Sequence, residues 1–272
     1  MAEFADKYQT LLLHRERSRL HVTLNRPEVK NALNPTLIGE LRAVFEILKD
    51  RRDIKVVILR GAGGTFCAGA DLKSMEQSFT DKPKPGEKDP IAVWNRGFGT
   101  FLEMVNTSPQ VVVAAVEGYA IAGGFGILCV SDVAICTEDA GFAMSETAIG
   151  IVPAQIAPFV AARIGVPQTR HLTLTAARFK GPEALRLGIA HYLVKDSVAL
   201  DAKLEELLKQ IDRCAPIANA LTKQVVMKVG TEPLSQVLDF AADKFAEARR
   251  GPEASEGLRA FAEKRPPRWA TE

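Results

Sequence analysis

Long hydrophobic runs are scarce in this chain. The uncharged stretch from Thr147 to Ala162 is too short to cross a bilayer and carries Pro153 and Pro158, so a membrane helix is not expected. An excess of one charge is also missing. Thirty-five Lys+Arg against 33 Asp+Glu leave a formal net charge of +2, which indicates neither nucleic acid nor a membrane surface as partner. Local basic clusters can still hold a small anion. The opening residues MAEFADKYQT have neither the basic nor the apolar region of a signal peptide. Cysteine is limited to Cys67, Cys129, Cys136 and Cys214, with no Cys-x-x-Cys pair. Three of the four sit in apolar or glycine-rich surroundings, and this usage predicts buried free thiols in a reducing, cytoplasmic compartment.

Several chemical signatures are missing too. No G-x-x-x-x-G-K-[ST] is present, and GAGGTF (61–66) fails the G-x-G-x-x-G pattern because Phe66 takes the last position. A nucleotide site is therefore disfavoured. No G-x-S-x-G elbow occurs. The four histidines, His14, His21, His171 and His191, lack metal-ligand spacing and read as surface or structural residues. No metal is expected.

The remaining pattern is that of an α/β protein. LLLHRERSRLHVTLNR (11–26) reads as two short strands around a charged turn. Asn34 caps a helix with Pro35 at its first position, and Leu37, Ile38, Leu41, Val44, Phe45 and Leu48 give it one apolar face. IKVVILRG (54–61) and QVVVAAVEG (110–118) read as strands buried on both faces. DVAICTED (132–139) and GFAMS (141–145) add two more. A helix is predicted over 91–105, after a polar, proline-rich surface segment at 75–90. From Leu200 the spacing of Leu204, Leu207, Leu208 and Ile211 marks a further helix, and Pro216, Pro233 and Pro252 punctuate three more. The chain divides into a core, 1–199, and a helical C-terminal region, 200–272.

A strand, a glycine-rich turn and a helix follow one another twice, at CAGADL (67–72) and IAGGFG (121–126). Glycine at the first turn of a helix leaves an unobstructed backbone N–H without an intrahelical partner, at the positive end of the helix dipole. Two such N–H groups facing one point make an oxyanion hole. Tight packing of strand on helix would also call for glycine, and these two segments alone leave both readings open.

Four segments in order, NRPEVKNALN (25–34), GTFCAGADLKSM (64–75), VEGYAIAGGFGILCVSD (116–132) and EGLRAFAEKRPPRW (256–269), resemble the crotonase (enoyl-CoA hydratase/isomerase) superfamily. The resemblance spans most of the chain. It implies an α/β spiral of repeated ββα turns with a helical C-terminal trimerisation region, and a homo-oligomer, either a trimer or a dimer of trimers. It implies an acyl-CoA thioester substrate and no separate cofactor, coenzyme A being part of that substrate. The N–H groups of Ala70 and Gly123 would hold the thioester oxygen. Lys30, Ala32, Ala68, Asp71, Leu72 and Lys73 would lie along the CoA moiety, and Phe261 and Lys264 would reach it from a neighbouring subunit.

The chain departs from this pattern at one point. Typical enoyl-CoA hydratases carry two catalytic glutamates. One, three residues after the second oxyanion glycine, is Gly126 here; the other is Glu146, in AMSETAIGIVPAQIAP. Hydratases of branched, glutaconyl-type acyl-CoAs resemble this chain in having glycine at the first position and a similar segment at 145–158. The expectation is a hydratase of a branched, glutaconyl- or isoprenoid-type enoyl-CoA, with Glu146 as its single acid–base group. Two alternatives are a double-bond isomerase, which needs only one base, and a CoA-thioester-binding protein with little catalysis. The acyl pocket is expected along 75–105 and Ile149–Ala157.

Overall fold

The computed structural model describes residues 8–72, 83 and 86–270. Leu11–Glu16 (β1) and Arg19–Leu24 (β2) form the hairpin read from the sequence. Asn34 caps Pro35–Leu48 (α1) by accepting the N–H of Leu37 at 2.8 Å. Leu37, Leu41, Val44, Phe45 and Leu48 are buried on its inner face, while Ile38 is only partly covered. The next elements are Val56–Gly61 (β3), Pro90–Asn106 (α2), Val111–Val116 (β4), Tyr119–Ile121 (β5), Gly123–Val130 (α3), Val133–Thr137 (β6) and Gly141–Ala143 (β7). Ala157–Ile164 (α4), Val166–Thr175 (α5), Arg178–Lys180 (β8), Gly181–Arg186 (α6) and Tyr192–Val194 (β9) complete the α/β part. Four longer helices end the chain: Ser197–Asp212 (α7), Pro216–Lys228 (α8), Leu234–Arg250 (α9) and Pro252–Ala262 (α10). Most of the proline-rich segment 75–90 lies outside the described residues, as does Lys73.

The larger sheet runs β1-β2-β3-β4-β6-β9 and is parallel from β2 onward; the smaller runs β5-β7-β8. β4 and β6 lie in the first sheet, and β5 and β7, which directly follow them, pair in the second. Bridges Cys67↔Ala120 and Leu33↔Ala70 continue that second layer into the segments that follow β3 and β2. Each turn of chain thus leaves one strand in each layer before its helix, which is the ββα spiral.

Parallel strands need cover on both faces. One face of the larger sheet, with Val57, Leu59, Val112 and Ala114, joins the main core beneath α1, α2 and α3. The other face, with Val56, Ile58, Val113, Ala115 and Ile135, is covered by Leu200, Leu204, Leu207, Leu208 and Ile211 of α7. Lys223 of α8 fastens the helical region to the sheet, donating to Ser108 O at 2.8 Å, Gln110 O at 2.6 Å and the Asp132 carboxylate at 2.6 Å. Cys67, Cys129 and Cys136 are buried as expected, but Cys214 is exposed. It follows the last residues of α7, where the chain turns away from the sheet toward α8.

Helix α3 is enclosed along its length from Gly124 to Val130. Its last carbonyls therefore need protein donors, because an unpaired buried carbonyl is costly. Arg163 of α4 supplies them. Its guanidinium donates to Ser131 O at 2.8 Å, Cys129 O at 3.3 Å and Ile189 O at 3.0 Å, and its charge suits a helix C-terminus. Arg163→Met should lower unfolding free energy by on the order of 3 kcal/mol, since several buried acceptors lose their donor together. Urea denaturation followed by circular dichroism measures this, and a loss below about 0.5 kcal/mol would contradict the assignment.

Candidate active site

The two glycine-rich segments lie side by side through the backbone of Cys67. Its N–H donates to Tyr119 O at 2.8 Å, and its carbonyl accepts the N–H of Ile121 at 3.0 Å. On the far side, Leu33 donates to Gly69 O at 2.7 Å and accepts from the Asp71 N–H at 2.9 Å. In that parallel bridge Ala70 is the residue skipped, so its own N–H points away from Leu33. The close approach depends on Gly69, at φ 97°, where a Cβ would come within 3.0 Å of Ala122 Cβ.

From β5 the chain enters α3 through Ala122, at φ 49° and ψ −118°. This is an unusual conformation for a residue with a Cβ, and such positions cost roughly 1–3 kcal/mol. Two backbone bonds hold it: Ala122 N–H to Ala143 O at 2.9 Å, and Gly126 N–H to Ala122 O at 3.0 Å. The turn places Gly123 at the first helical position. No acceptor among the described residues takes the N–H of Gly123 or of Ala70.

Both residues line one cavity. Ala68, Leu72, Phe98 and Ile121 share its wall with Glu146 and with the stretch Ile149–Ile156, apart from Gly150. The cavity is apolar apart from the two backbone segments and four polar side chains, those of Asn95, Ser145, Glu146 and Gln155, counted among the described residues. An oxygen seated between two unpaired N–H groups in such surroundings would be held more strongly as it gains negative charge.

Glu146 opens the short 3-10 turn Glu146–Ile149. One of its carboxylate oxygens is buried without a hydrogen-bond partner. Burial pushes its pKa above the ordinary glutamate value, partly offset by its own backbone N–H. A carboxyl with a raised pKa facing an apolar cavity is equipped both to accept and to donate a proton. Burial pushes the thiols of Cys67, Cys129 and Cys136 up to about 12, so none of these is a ready nucleophile.

The three glycines of AIAGGFGILC differ in what surrounds them. A Cβ on Gly124 would lie 2.7 Å from both Cβ and O of Cys67, so this glycine lets α3 press against the first loop. A Cβ on Gly123 would meet Leu33 Cδ1 at 2.7 Å. At Gly126, the position of a second glutamate in the pattern above, a Cβ would lie 2.4 Å from Cγ2 of Ile156 and 3.6 Å from Cδ1 of Leu102. Apolar side chains fill the place of that carboxylate. Packing and an open N–H thus both operate here, at different glycines.

Of the other residues singled out in the sequence, Lys30 and Ala32 flank the loop. Lys30 O accepts the Ala68 N–H at 3.0 Å, and Lys30 Nζ stands 5.3 Å from the Tyr119 ring centre. Asp71 spends its carboxylate on Arg26 at 3.0 Å. Phe261, 86% exposed, and Lys264, just beyond α10, are not in the cavity wall. Sequence reasoning missed Asn31. It is fully buried at φ 56°, accepts the Arg26 N–H at 2.8 Å, and donates to Ala62 O at 2.9 Å and Thr65 O at 2.6 Å. Its place between Lys30 and Ala32, in a motif otherwise assigned to ligand contact, was the available signal. Asn95 and Gln155 fall in the two segments expected to line the acyl pocket, 75–105 and Ile149–Ala157, and both are on the cavity wall, but nothing in their local sequence marks them as a pair.

Residues 14–272 match the family profile described as enoyl-CoA hydratase/isomerase. A carnitinyl-CoA dehydratase of Escherichia coli is 32% identical over 267 residues, covering 96% of this chain and 98% of that protein. Among solved structures, an enoyl-CoA hydratase/isomerase from Marinobacter aquaeolei superposes with a TM-score of 0.92 at 44% identity, over 96% of this chain and 99% of that one. Pseudomonas aeruginosa AtuE superposes at 0.91 with 49% identity, over 96% and 100%.

The raised pKa of Glu146 carries a stability prediction. Between the ordinary glutamate value of 4.5 and the raised folded value, the folded chain holds a proton that the unfolded chain has released. Stability therefore falls as pH rises through that window. Glu146→Gln, which never ionises, should be more stable than the parent at pH 7, with the gap closing below about pH 4. Denaturant titrations across this range test it, and a less stable variant at pH 7 would refute the burial argument.

Proposed function

We propose that this chain, which belongs to the enoyl-CoA hydratase/isomerase family, is a hydratase that adds water to a branched, glutaconyl- or isoprenoid-type enoyl-CoA using Glu146 as its only carboxylate. The observation that carries the reading is the shared cavity. It brings the unpaired N–H groups of Ala70 and Gly123 together with a half-buried Glu146, one of whose carboxylate oxygens has no partner, while Ile156 fills the place beside Gly126. The apolar side chains of Trp94, Ile149, Ile151 and Val152 on the wall suit a branched acyl group. The E. coli relative is named for loss of water from a CoA thioester, the same bond change in reverse.

The chemistry balances with one carboxylate. Water oxygen bonds to Cβ of the enoyl group, and the double-bond electrons move onto the thioester oxygen, held by Ala70 and Gly123. The proton released by water passes to Glu146. The same carboxyl then gives a proton to Cα, the carbonyl reforms, and Glu146 returns to its ionised state. The enolate gains most from the two fixed N–H donors because its charge sits on oxygen; losing one such donor typically costs about 3 kcal/mol.

Incubation of 3-methylglutaconyl-CoA in heavy-oxygen water should yield a hydroxyacyl thioester carrying the label. A product of unchanged mass would instead identify an isomerase, and turnover well below about 1 s⁻¹ on every enoyl-CoA would favour a binding protein. Glu146→Gln should lower turnover at least ~100-fold. In the parent, kcat/KM should fall on acidification with a midpoint above 4.5, the ordinary glutamate value, because the ionised carboxylate starts the reaction.

The reading includes a trimer or a dimer of trimers, with Phe261 and Lys264 reaching a neighbour's CoA. Leu238 and Phe245, two turns apart on α9, and Phe261 of α10 are 60%, 73% and 86% exposed, which gives the helical region apolar surface for such a contact. Light scattering should give three or six times the chain mass of 29.6 kDa. A monomer at micromolar concentration would refute this part.

A further inference from the structure

A hydratase with one carboxylate must still hold its water in line with Cβ. The helix position that supplies a second carboxylate in other hydratases offers only Gly126 against Ile156. The same turn that brings Ile156 there brings Gln155 to the cavity wall. Gln155 Nε2 donates to Asn95 Oδ1 at 2.9 Å, and Asn95 lies on the same wall, carried by α2. Among the described residues no other hydrogen bond engages either carboxamide. Whichever way each amide is turned, the pair leaves one NH₂ and one carbonyl oxygen unused.

The seat of this pair is built into α2. Gly99, one turn after Asn95, is buried, and a Cβ there would fall 1.9 Å from Gln155 Oε1 and 2.9 Å from its Cδ. Glycine in a helix interior costs about 1 kcal/mol relative to alanine, and here it opens the space that the Gln155 carboxamide occupies.

We propose that the Asn95–Gln155 carboxamide pair, seated by Gly99, positions the attacking water in place of the absent second carboxylate. This rests on the hydratase reading and deepens it. A water molecule needs both an acceptor and a donor to be oriented, and the pair presents both. Neither amide can take the proton at neutral pH, so proton transfer stays with Glu146 and the pair acts by positioning alone.

The test separates water addition from enolate formation. Exchange of the Cα hydrogen of a saturated acyl-CoA with deuterium from solvent needs the oxyanion donors and Glu146 but no positioned nucleophile. Asn95→Ala, Gln155→Ala and Gly99→Ala should each lower kcat for hydration roughly tenfold to a hundredfold. Their KM should change little and their Cα exchange should match the parent. Gly99→Ala is the check on folding, since it should expel Gln155 while leaving thermal stability unchanged or higher. Hydration equal to the parent in all three variants overturns the water role. So does exchange that falls in step with hydration, which would make the pair structural, or a raised KM at unchanged kcat, which would make it an acyl-group contact. A parent protein that exchanges Cα hydrogen but never takes up labelled oxygen overturns the hydratase reading itself, and the water role with it.

Discussion

The backbone of Cys67 is the hinge on which the site depends. Its N–H and carbonyl are both committed to the segment Tyr119–Ile121, and its side chain and Cβ pack against Gly124. Through these contacts the loop after β3 and the loop after β4 hold a fixed relation. A backbone N–H without a protein partner keeps a fixed direction when the backbone groups beside it are bonded. Here Leu33 and Ala143 hold the chain on either side of the two unpaired groups. The unusual backbone angles at Ala122 belong to the same economy of strain, stored in a turn that surrounding bonds over-determine.

Helix α3 extends this argument away from the cavity. It is too apolar to sit at a surface and too short to be stable alone, so it is buried. Burial makes its C-terminal carbonyls dependent on Arg163. A guanidinium at one end and two glycine loops at the other hold the helix along its axis. The sheet it rests on is in turn closed from the opposite face by α7. The helical C-terminal region therefore supports the layer that carries the cavity, and it also holds exposed apolar residues.

The chemistry proposed for the chain follows from a substitution of shape for charge. Ile156 and Leu102 occupy the volume that a second carboxylate would enter, which leaves Glu146 as the single ionisable side chain among the described residues of the wall. One carboxylate suffices for hydration because the proton taken from water is returned to carbon. What it cannot do alone is orient the water while also holding the proton. Two neutral amides in the same wall are suited to that second task.

Much of this was legible in the residue order. Strands, caps and helix faces are local properties, set by the alternation in β2, the continuous apolar runs of β3 and β4, and Asn34–Pro35, and they formed where the pattern placed them. The motifs around Ala70, Gly123 and Glu146 were also readable, because backbone chemistry of this kind needs glycine and small residues in short, recognisable runs. The exposure of Cys214 had a local signal as well, since the charged Asp212 and Arg213 stand just before it. The fate of the Gly126 position was not readable, because it depends on Ile156, thirty residues on. The pairing of Asn95 with Gln155 depends on a gap at Gly99 that no periodicity signals. Local sequence determined which segments could offer an N–H or a carboxylate. Only the packing of distant segments decided which of those groups share one cavity, because contact across the fold depends on side-chain volume and approach rather than on order along the chain.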